Sequence, residues 1–372
     1  MGSDEHAGTS GTGTSSPGTT GGDTLATRVE EALTAFLDGQ AAQLAPLGDD
    51  AARLVAAART TVAGGKRLRA RFCWWGYHAV HPRPTPEQQD ALVRACASLE
   101  LLHASALVHD DLMDASDTRR GRPATHKAFE GEHRAAGWDG DPEQYGAAAA
   151  ILLGDLLLSW SDELLRRCGL GLADVGPALE VLDVCRTEVI GGQFLDVSVQ
   201  ARATADADLA MTVLRYKSAK YSIERPLHVG AALAGGTPEQ LAALSGFGLP
   251  LGEAFQLRDD QLGVFGEPAT TGKPAGDDLV EGKRTVLVAL ALEALDADDA
   301  ARLDRSLGTA LSPADVDRLR DLVDGSGARA QVEERIDALT GQALAGLAAA
   351  DLDPEVTTAL EQLAAAATRR TS

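Results

Sequence analysis

Two aspartate pairs, Asp110-Asp111 and Asp259-Asp260, carry the side chains of this sequence that are best suited to chemistry. Each pair lies in a long apolar stretch with helical periodicity. Asp114 follows Asp110 by one helical turn, so their side chains lie on one helix face. Burying several carboxylates on an apolar face is costly unless cations compensate their charge. Because oxygen ligands suit Mg²⁺, the sequence predicts a magnesium site at these aspartates.

Basic side chains follow both pairs. Arg119, Arg120 and Arg122 come after the first pair, and Lys273 and Lys283 lie in a glycine-rich segment after the second. Metals bridge carboxylates to phosphate oxygens, while guanidinium groups bind the outer oxygens. We therefore interpret the two regions as the walls of one cleft for an anionic substrate and its metals. The plainer interpretation is two unrelated acidic helix ends exposed to solvent.

A third basic segment, Gly64-Gly65-Lys66-Arg67-Leu68-Arg69, precedes a predicted helix. The positive end of the helix dipole and the free backbone N–H groups favour an anion there. A basic turn exposed to solvent is the alternative. The spacing differs from the GxxxxGK[ST] P-loop, so ATP is not a supported substrate. The sequence also contains no HExxH zinc motif and no GxSxG nucleophile elbow.

The elements that must position these residues are helices. Hydrophobic residues make up 44% of the 372 residues and aromatic residues only 4%. Alternating strand patterns are nearly absent, and helical periodicity is almost continuous from Thr24. The sequence predicts a disordered Gly-, Ser- and Thr-rich tail over residues 1–23 and one all-α domain over residues 24–372.

The predicted helices lie near residues 25–46, 49–63, 66–80, 86–114, 144–168, 174–199, 205–234, 237–264, 284–295, 313–323, 327–349 and 354–369. Two long loops, 115–145 and 266–282, directly follow the aspartate pairs.

Charge and composition exclude several classes of function. A formal net charge of -21 argues against nucleic acid as a partner. The most apolar run, residues 146–158, is too short to span a bilayer, so we expect no integral membrane contact. The four cysteines show no CxxC spacing and are expected to be reduced, which predicts a cytoplasmic protein.

Taken together, the motifs resemble those of the trans-isoprenyl diphosphate synthases, the polyprenyl synthetase family, of the geranylgeranyl diphosphate synthase type. The resemblance covers about residues 25–370 and rests on the joint order of Gly64-Gly65-Lys66-Arg67-x-Arg69, His103, Asp110-Asp111-x-x-Asp114, Arg119-Arg120-Gly121, Gly192-Gln193-x-x-Asp196, Lys217-Ser218, Phe255-Gln256-x-x-Asp259-Asp260 and Thr271-Gly272-Lys273-Pro274. It implies the isoprenoid synthase type I-like fold, a single-domain bundle of long antiparallel helices around a central cavity. It also implies a homodimer.

The reaction implied by the resemblance joins isopentenyl diphosphate head to tail to an allylic diphosphate, namely dimethylallyl, geranyl or farnesyl diphosphate. Three Mg²⁺ ions would be bound by Asp110, Asp114 and Asp259. Asp111 and Asp260 would hold the metal shell in place.

The resemblance assigns the other residues in three groups. Those expected to contact the allylic diphosphate are Arg119, Lys217, Lys273 and Lys283. Those expected to hold isopentenyl diphosphate are Lys66, Arg69, His103 and Arg120. Ser218 and Gln256 would line the reacting centre, and Gln193 and Asp196 would support the metals.

Product length is expected to depend on the turns before Asp110. In the family, aromatic residues four and five positions before the first aspartate stop growth at C15. Here those positions hold Ala106 and Ser105, with Leu102 and Leu99 deeper as a possible floor. The small side chains favour geranylgeranyl diphosphate, C20, while a longer-chain or C15 product stays open.

Two other functions remain as alternatives. A class I terpene cyclase would share the fold, the metal and the first motif, but would leave the basic residues for isopentenyl diphosphate unused. A non-catalytic partner subunit of a heteromeric synthase is the second. Its one supporting feature is Gly263, which stands where the family typically has the third aspartate of the second motif.

Overall fold

The computed structural model describes residues 21–266 and 276–369, with side chains from Thr24 onward. Helices make up most of these ranges, and the all-α prediction is confirmed. The sheet in the described part is a two-stranded hairpin of β1 (Thr118–Arg119) and β2 (Arg122–Pro123). Residues 1–20 of the predicted tail lie outside the described residues, as do Thr271 and Lys273.

The helices are α1 (Gly21–Leu44), α2 (Asp49–Val62), α3 (Leu68–Val80), α4 (Pro86–Met113), α5 (Thr125–Ala136), α6 (Pro142–Arg166), α7 (Leu172–Ala201), α8 (Ala207–Leu214), α9 (Arg225–Leu233), α10 (Pro238–Phe265), α11 (Asp277–Glu281), α12 (Val286–Ala294), α13 (Ala297–Ser306), α14 (Pro313–Gly325), α15 (Ala328–Ala349) and α16 (Pro354–Thr368). A 3-10 turn, Ala45–Leu47, follows α1, and a π-helix, Arg215–Glu224, joins α8 to α9.

The two helices that carry the aspartate pairs begin in the same way. Thr85 and Thr237 each form a capping box with the glutamine three residues later, and a proline occupies the first helical position in both. This arrangement satisfies free N–H groups and fixes the start of each helix. Both α4 and α10 are 28 residues long, and both place their aspartates near the C-terminal end.

Helix α4 lies at the centre of the largest apolar core. It packs against α1, α3, α5, α6 and α9. Among the described residues it is the helix long and apolar enough to cross a membrane by composition, but 78% of its most apolar window is buried inside the protein. Such burial is typical of a core helix, and it fixes the position of the aspartates that follow.

Several elements differ from the sequence prediction. The predicted 115–145 loop contains α5, and the predicted 266–282 loop contains α11. The buried positions of α5 are His126, Phe129 and His133, so two of its three inward side chains are polar and the apolar pattern is weak. Helix α13 was also missed. Helix α1 begins at Gly21, three residues inside the predicted disordered tail.

Candidate active site

Lys283 connects the first aspartate motif to the segment that follows the second. Its Nζ lies 3.5 Å from Asp114 Oδ2 and 3.4 Å from Asp278 Oδ1, and it also pairs with Glu281 at 2.5 Å. Ser116, just after the first motif, donates a hydrogen bond to Glu281 Oε1 at 2.5 Å. Helix α11, in the segment that follows the second motif, is thereby held against the end of α4.

Asp110 of the first motif contacts side chains from the π-helix and α7. Lys217 Nζ lies 3.1 Å from Asp110 Oδ1, and Gln193 Nε2 donates to the same oxygen at 3.0 Å. Burial raises the pKa of Asp110, but Lys217 and Lys283 outweigh it and bring the pKa down to about 2. Asp110 is therefore ionised at neutral pH and available as an anionic ligand.

The buried side chain of Asp111 binds the guanidinium of Arg119, whose Nε donates to Asp111 Oδ1 at 2.9 Å. Arg119 also lies 3.9 Å from Asp110 Oδ2. Asp111 thus orients Arg119 beside Asp110, and its expected role of holding the metal shell in place stays a prediction.

The π-helix brings Lys217 between two carboxylates. Lys217 Nζ lies 2.6 Å from Asp196 Oδ2, in addition to its contact with Asp110. Burial alone lowers the pKa of Lys217, but Asp110 and Asp196 raise it above the usual value, so the ammonium stays charged. This approach requires Gly192, because a Cβ there would lie 2.3 Å from the backbone N of Lys217. A π-helical turn is a frequent feature of functional sites.

The second motif is built around Asp260 and Gly263. Gln256 Nε2 donates to Asp260 Oδ1 at 2.8 Å. Burial and then the nearby Asp278 raise the pKa of Asp260 to about 8. A Cβ at Gly263 would lie 1.9 Å from Asp278 Oδ2, so the carboxylate of Asp278 fills the space above this glycine. Asp278 was not predicted as a site residue, although it lies in the segment 266–282 that directly follows the second aspartate pair.

The carboxylates fit a hard divalent cation. Burial and then the neighbouring Asp110 raise the pKa of Asp114 to about 6, although Lys283 and Lys217 act in the opposite direction. Asp114 Oδ2 is buried and accepts no hydrogen bond from the described residues. Across residues 21–266 and 276–369, no three His, Cys, Asp or Glu side chains converge on a ready-made metal site. The ammonium groups of Lys217 and Lys283 lie between the carboxylates instead.

A second group of side chains, here called the basic cluster, comprises Arg69, Arg120 and His103 and lies near Arg119. Arg69 donates to Ser222 Oγ at 2.8 Å and stacks over the ring of Tyr221, whose hydroxyl lies 2.5 Å from His103 Nδ1. Burial and then the charge of Arg69 hold the pKa of His103 well below its usual value, so its ring is neutral. Arg120 donates to the carbonyl oxygen of Ala63 at 3.2 Å, next to the glycines of the basic segment.

A buried ion pair between Arg67 and Glu100, which the sequence did not predict, lies next to the basic segment. Arg67 lies in the left-handed region at φ 50°, and its side chain turns into the core. There it pairs with the buried Glu100 at 3.1 Å and with Glu30. Lys66, the residue before it, stays exposed. Arg67 therefore points into the core, while Arg69 reaches Ser222.

The residues expected to set product length divide between two faces of α4. Ser105 donates a hydrogen bond to the carbonyl oxygen of Gly154 at 2.7 Å, so its side chain packs against α6. Ala106 shares a helix face with His103 and Asp110, which contact the π-helix and α7. Leu99 and Leu102 are buried.

The chain is similar to known proteins along most of its length. The family model described as polyprenyl synthetase matches residues 51–324. A short chain isoprenyl diphosphate synthase from Methanothermobacter thermautotrophicus is 34% identical over 247 residues, which cover 66% of this chain and 69% of that protein. A geranylfarnesyl diphosphate synthase from Natronomonas pharaonis is 31% identical over 290 residues, covering 73% of this chain and 80% of that protein.

A solved structure is similar over nearly the whole fold. It is a geranylgeranyl pyrophosphate synthase from Corynebacterium glutamicum, complexed with isoprenyl diphosphate and magnesium. The two chains are 43% identical, and the TM-score is 0.91. The similarity covers 94% of this chain and 99% of that one.

Proposed function

The chain belongs to the polyprenyl synthetase family and is a trans-prenyltransferase, and from that premise we propose that it condenses isopentenyl diphosphate with an allylic diphosphate to give geranylgeranyl diphosphate. The fold prediction, an all-α isoprenoid synthase bundle, is confirmed by the same similarity. One observation carries the proposal. Asp110, Asp114 and the segment after the second motif converge on Lys217 and Lys283, near the arginines of the basic cluster.

The aspartates and lysines would hold the allylic diphosphate. We propose that Asp110, Asp114 and Asp259 bind three Mg²⁺ ions, whose charge stabilises the departing diphosphate. Arg119, already oriented by Asp111, would bind the outer oxygens together with Lys217 and Lys283. Lys273, which lies outside the described residues, is proposed as a further contact.

The basic cluster would hold the second substrate. Lys66, Arg69 and Arg120 would bind the diphosphate of isopentenyl diphosphate, and the neutral ring of His103 can donate one hydrogen bond without adding charge. Ser218 and Gln256 are proposed to line the reacting centre between the two substrates.

The proposed reaction begins with ionisation of the allylic diphosphate. The allylic C–O bond breaks and its electron pair leaves with the diphosphate. The double bond of isopentenyl diphosphate attacks the allylic cation, so that C4 of one substrate joins C1 of the other, and a proton is lost to the released pyrophosphate. The chain must exclude water, which would quench the cation. No protein nucleophile is required.

A C20 product is supported by two observations. Ala106, on the face of α4 that carries Asp110, is small and lacks the aromatic ring that is expected to stop growth at C15. The structure with 43% identity is a geranylgeranyl pyrophosphate synthase. A longer product is the alternative, since a geranylfarnesyl diphosphate synthase is also among the relatives.

We also propose a homodimer formed through α6 and α7. Large apolar side chains are exposed on both helices, with Leu152 at 61%, Ile190 at 56% and Phe194 at 73% exposure. Ile190 and Phe194 are one turn apart and share a face, and α6 packs beside α7. Exposed apolar patches of this kind mark contact surfaces, and a second copy offers the matching patch.

The remaining proposals concern organisation and location. Residues 24–372 are proposed to form one domain. The four free cysteines are buried, which agrees with a reducing cytoplasm.

The test is incubation of the purified protein with Mg²⁺, isopentenyl diphosphate and each allylic starter, followed by sizing of the products. Geranylgeranyl diphosphate as the main product supports the proposal. A hydrocarbon formed from one substrate alone would indicate a terpene cyclase. No product from any pair would indicate a non-catalytic subunit.

A further inference from the structure

The second aspartate motif is anchored on the side of α10 that faces the C-terminal helices. Arg258 directly precedes Asp259, and 16% of its side chain is exposed. Its Nη1 and Nη2 donate to the two carboxylate oxygens of Glu333 on α15 at 2.5 and 2.7 Å. Its Nε donates to the carbonyl oxygen of Thr368, the last residue of α16, at 3.0 Å. Arg258 therefore joins α10 to both C-terminal helices at the turn that carries the aspartates.

Both acceptors suit a guanidinium group. Two parallel hydrogen bonds to one carboxylate fix the direction of the arginine side chain as well as its distance. The carbonyl oxygen of Thr368 lies at the C-terminal end of α16, where no further helical turn supplies an N–H donor and where the helix dipole favours a cation. The position of Arg258 is thus defined by two different elements at once.

Gln261 and Phe265 extend this anchor towards the end of α10. The buried Gln261 accepts from Arg258 Nη1 at 2.8 Å, and its Nε2 donates to the carbonyl oxygen of Arg329 on α15 at 3.1 Å. The guanidinium groups of Arg329 and Arg320 lie 4.5 and 5.8 Å from the ring centre of Phe265. Arg320 also donates to the carbonyl oxygen of Phe265 at 3.1 Å. The last two turns of α10 are therefore held from α14, α15 and α16.

These contacts lie where α10 needs them, because the aspartates are near the end of a long helix. Helix ends lack part of their hydrogen bonds and fray. Helix α15 packs along α10, and a Cβ at Gly346 would lie 2.3 Å from the carbonyl oxygen of Gly246. That close contact is roughly 18 Å along the helix from Arg258, at 1.5 Å per residue. The rotation of α10 at the motif therefore depends on the contacts of Arg258 and its neighbours.

We infer that Arg258 is a positioning residue, which fixes the orientation of Asp259 and Asp260 by tying their turn of α10 to Glu333 and to the end of α16. The inference rests on the proposed function, in which Asp259 binds Mg²⁺. It gives α15 and α16 a part in the active site, although neither helix carries a residue of the recognised motifs. Arg258 itself acts through the aspartates and not on the substrate.

The test measures metal binding apart from turnover. Calorimetric titration with Mg²⁺ in the presence of inorganic pyrophosphate gives the affinity, thermal unfolding gives Tm, and incorporation of isopentenyl diphosphate gives kcat and KM. Arg258→Gln should weaken Mg²⁺ binding and lower kcat by about 10- to 100-fold, the range found for groups that hold metal ligands in place. KM for isopentenyl diphosphate should stay close to wild type, because that substrate is proposed to bind at the basic cluster.

The partner on α15 supplies a matched pair of variants. Glu333→Gln removes the charge that Arg258 binds and should weaken Mg²⁺ binding less than Arg258→Gln, since the bond to Thr368 is retained. Glu334→Gln removes the same charge from the next, exposed position of α15 and should leave Mg²⁺ binding unchanged. The double variant Arg258→Gln/Glu333→Gln should bind Mg²⁺ about as weakly as Arg258→Gln alone, because residues that act as one pair are not additive.

The opposite results separate this inference from the function on which it rests. If Arg258→Gln lowers Tm but keeps the Mg²⁺ affinity and kcat of the wild-type protein, Arg258 only stabilises the fold and the inference fails alone. If Arg258→Gln does not fold, Arg258→Lys takes its place, since it keeps the charge but cannot form the two-pronged pair; wild-type Mg²⁺ affinity in that variant would equally overturn the inference. If the wild-type protein neither binds Mg²⁺ with pyrophosphate nor turns over, the proposed function fails together with it.

Discussion

Gly192 is the position where a single added methyl group should lower both stability and turnover. Helix α7 and the π-helix touch there, and a Cβ at 192 would lie 2.3 Å from Lys217 N and 2.6 Å from Tyr216 C. Both atoms are backbone, so no side chain can rotate away. Ordinary contacts begin near 3.4 Å, so Gly192→Ala must move the two elements apart by about 1 Å.

The displacement has two consequences. Overpacking of this kind costs about 1–3 kcal/mol of unfolding free energy. It also carries Lys217 away from Asp110 and Asp196, which it now contacts at 3.1 and 2.6 Å. A misplacement of about 1 Å can lower a rate roughly a hundredfold. We expect a lower kcat in addition to lower stability.

The assay compares Gly192→Ala with Gly341→Ala. Gly341 is an exposed position within α15 and has no atom within 4 Å of its Cβ position. Alanine there should raise stability by about 0.5–1 kcal/mol and leave turnover unchanged. Denaturant unfolding gives the stabilities, and incorporation of isopentenyl diphosphate gives the rates. Equal stability and equal rates in the two variants would refute the close approach at Gly192.

Three other variants test separate parts of the site. Asp110→Ala should abolish turnover with helicity intact by circular dichroism; turnover near wild type would remove Asp110 from the proposed metal site. Ala106→Phe should shorten the main product, measured by chromatography, since it shares the face of Asp110, whereas Ser105→Phe should mainly destabilise the protein by pushing against α6; an unchanged product from Ala106→Phe would place the floor elsewhere. Glu100→Ala removes the buried partner of Arg67 and should lower the free energy of unfolding by about 3–5 kcal/mol. Glu31→Ala, at an exposed position of α1, is the control and should change it little. Equal denaturation midpoints for the two variants would show that Arg67 does not need Glu100.

The long helices could be predicted, and the candidate aspartates could be recognised, because both leave a local signal. Helix α4 repeats apolar residues along its whole length, and its aspartates stand together in the sequence. Helix α5 could not be predicted, because its inward positions hold histidines. The buried pair of Arg67 and Glu100 joins residues 33 positions apart, a separation at which no local pattern reports contact.

The aspartate pairs also show why spacing alone is incomplete as evidence for a site. The sequence predicts which carboxylates share a helix face, but not which side chain from another element enters that face. Gly263 read alone suggests a lost carboxylate, whereas the structure places the carboxylate of Asp278 over this glycine. The same holds for Gly192, whose missing side chain makes room for Lys217. At both positions a glycine on one helix makes room for a charged residue from another element, so the chemistry of the site depends on pairs that only the packing reveals.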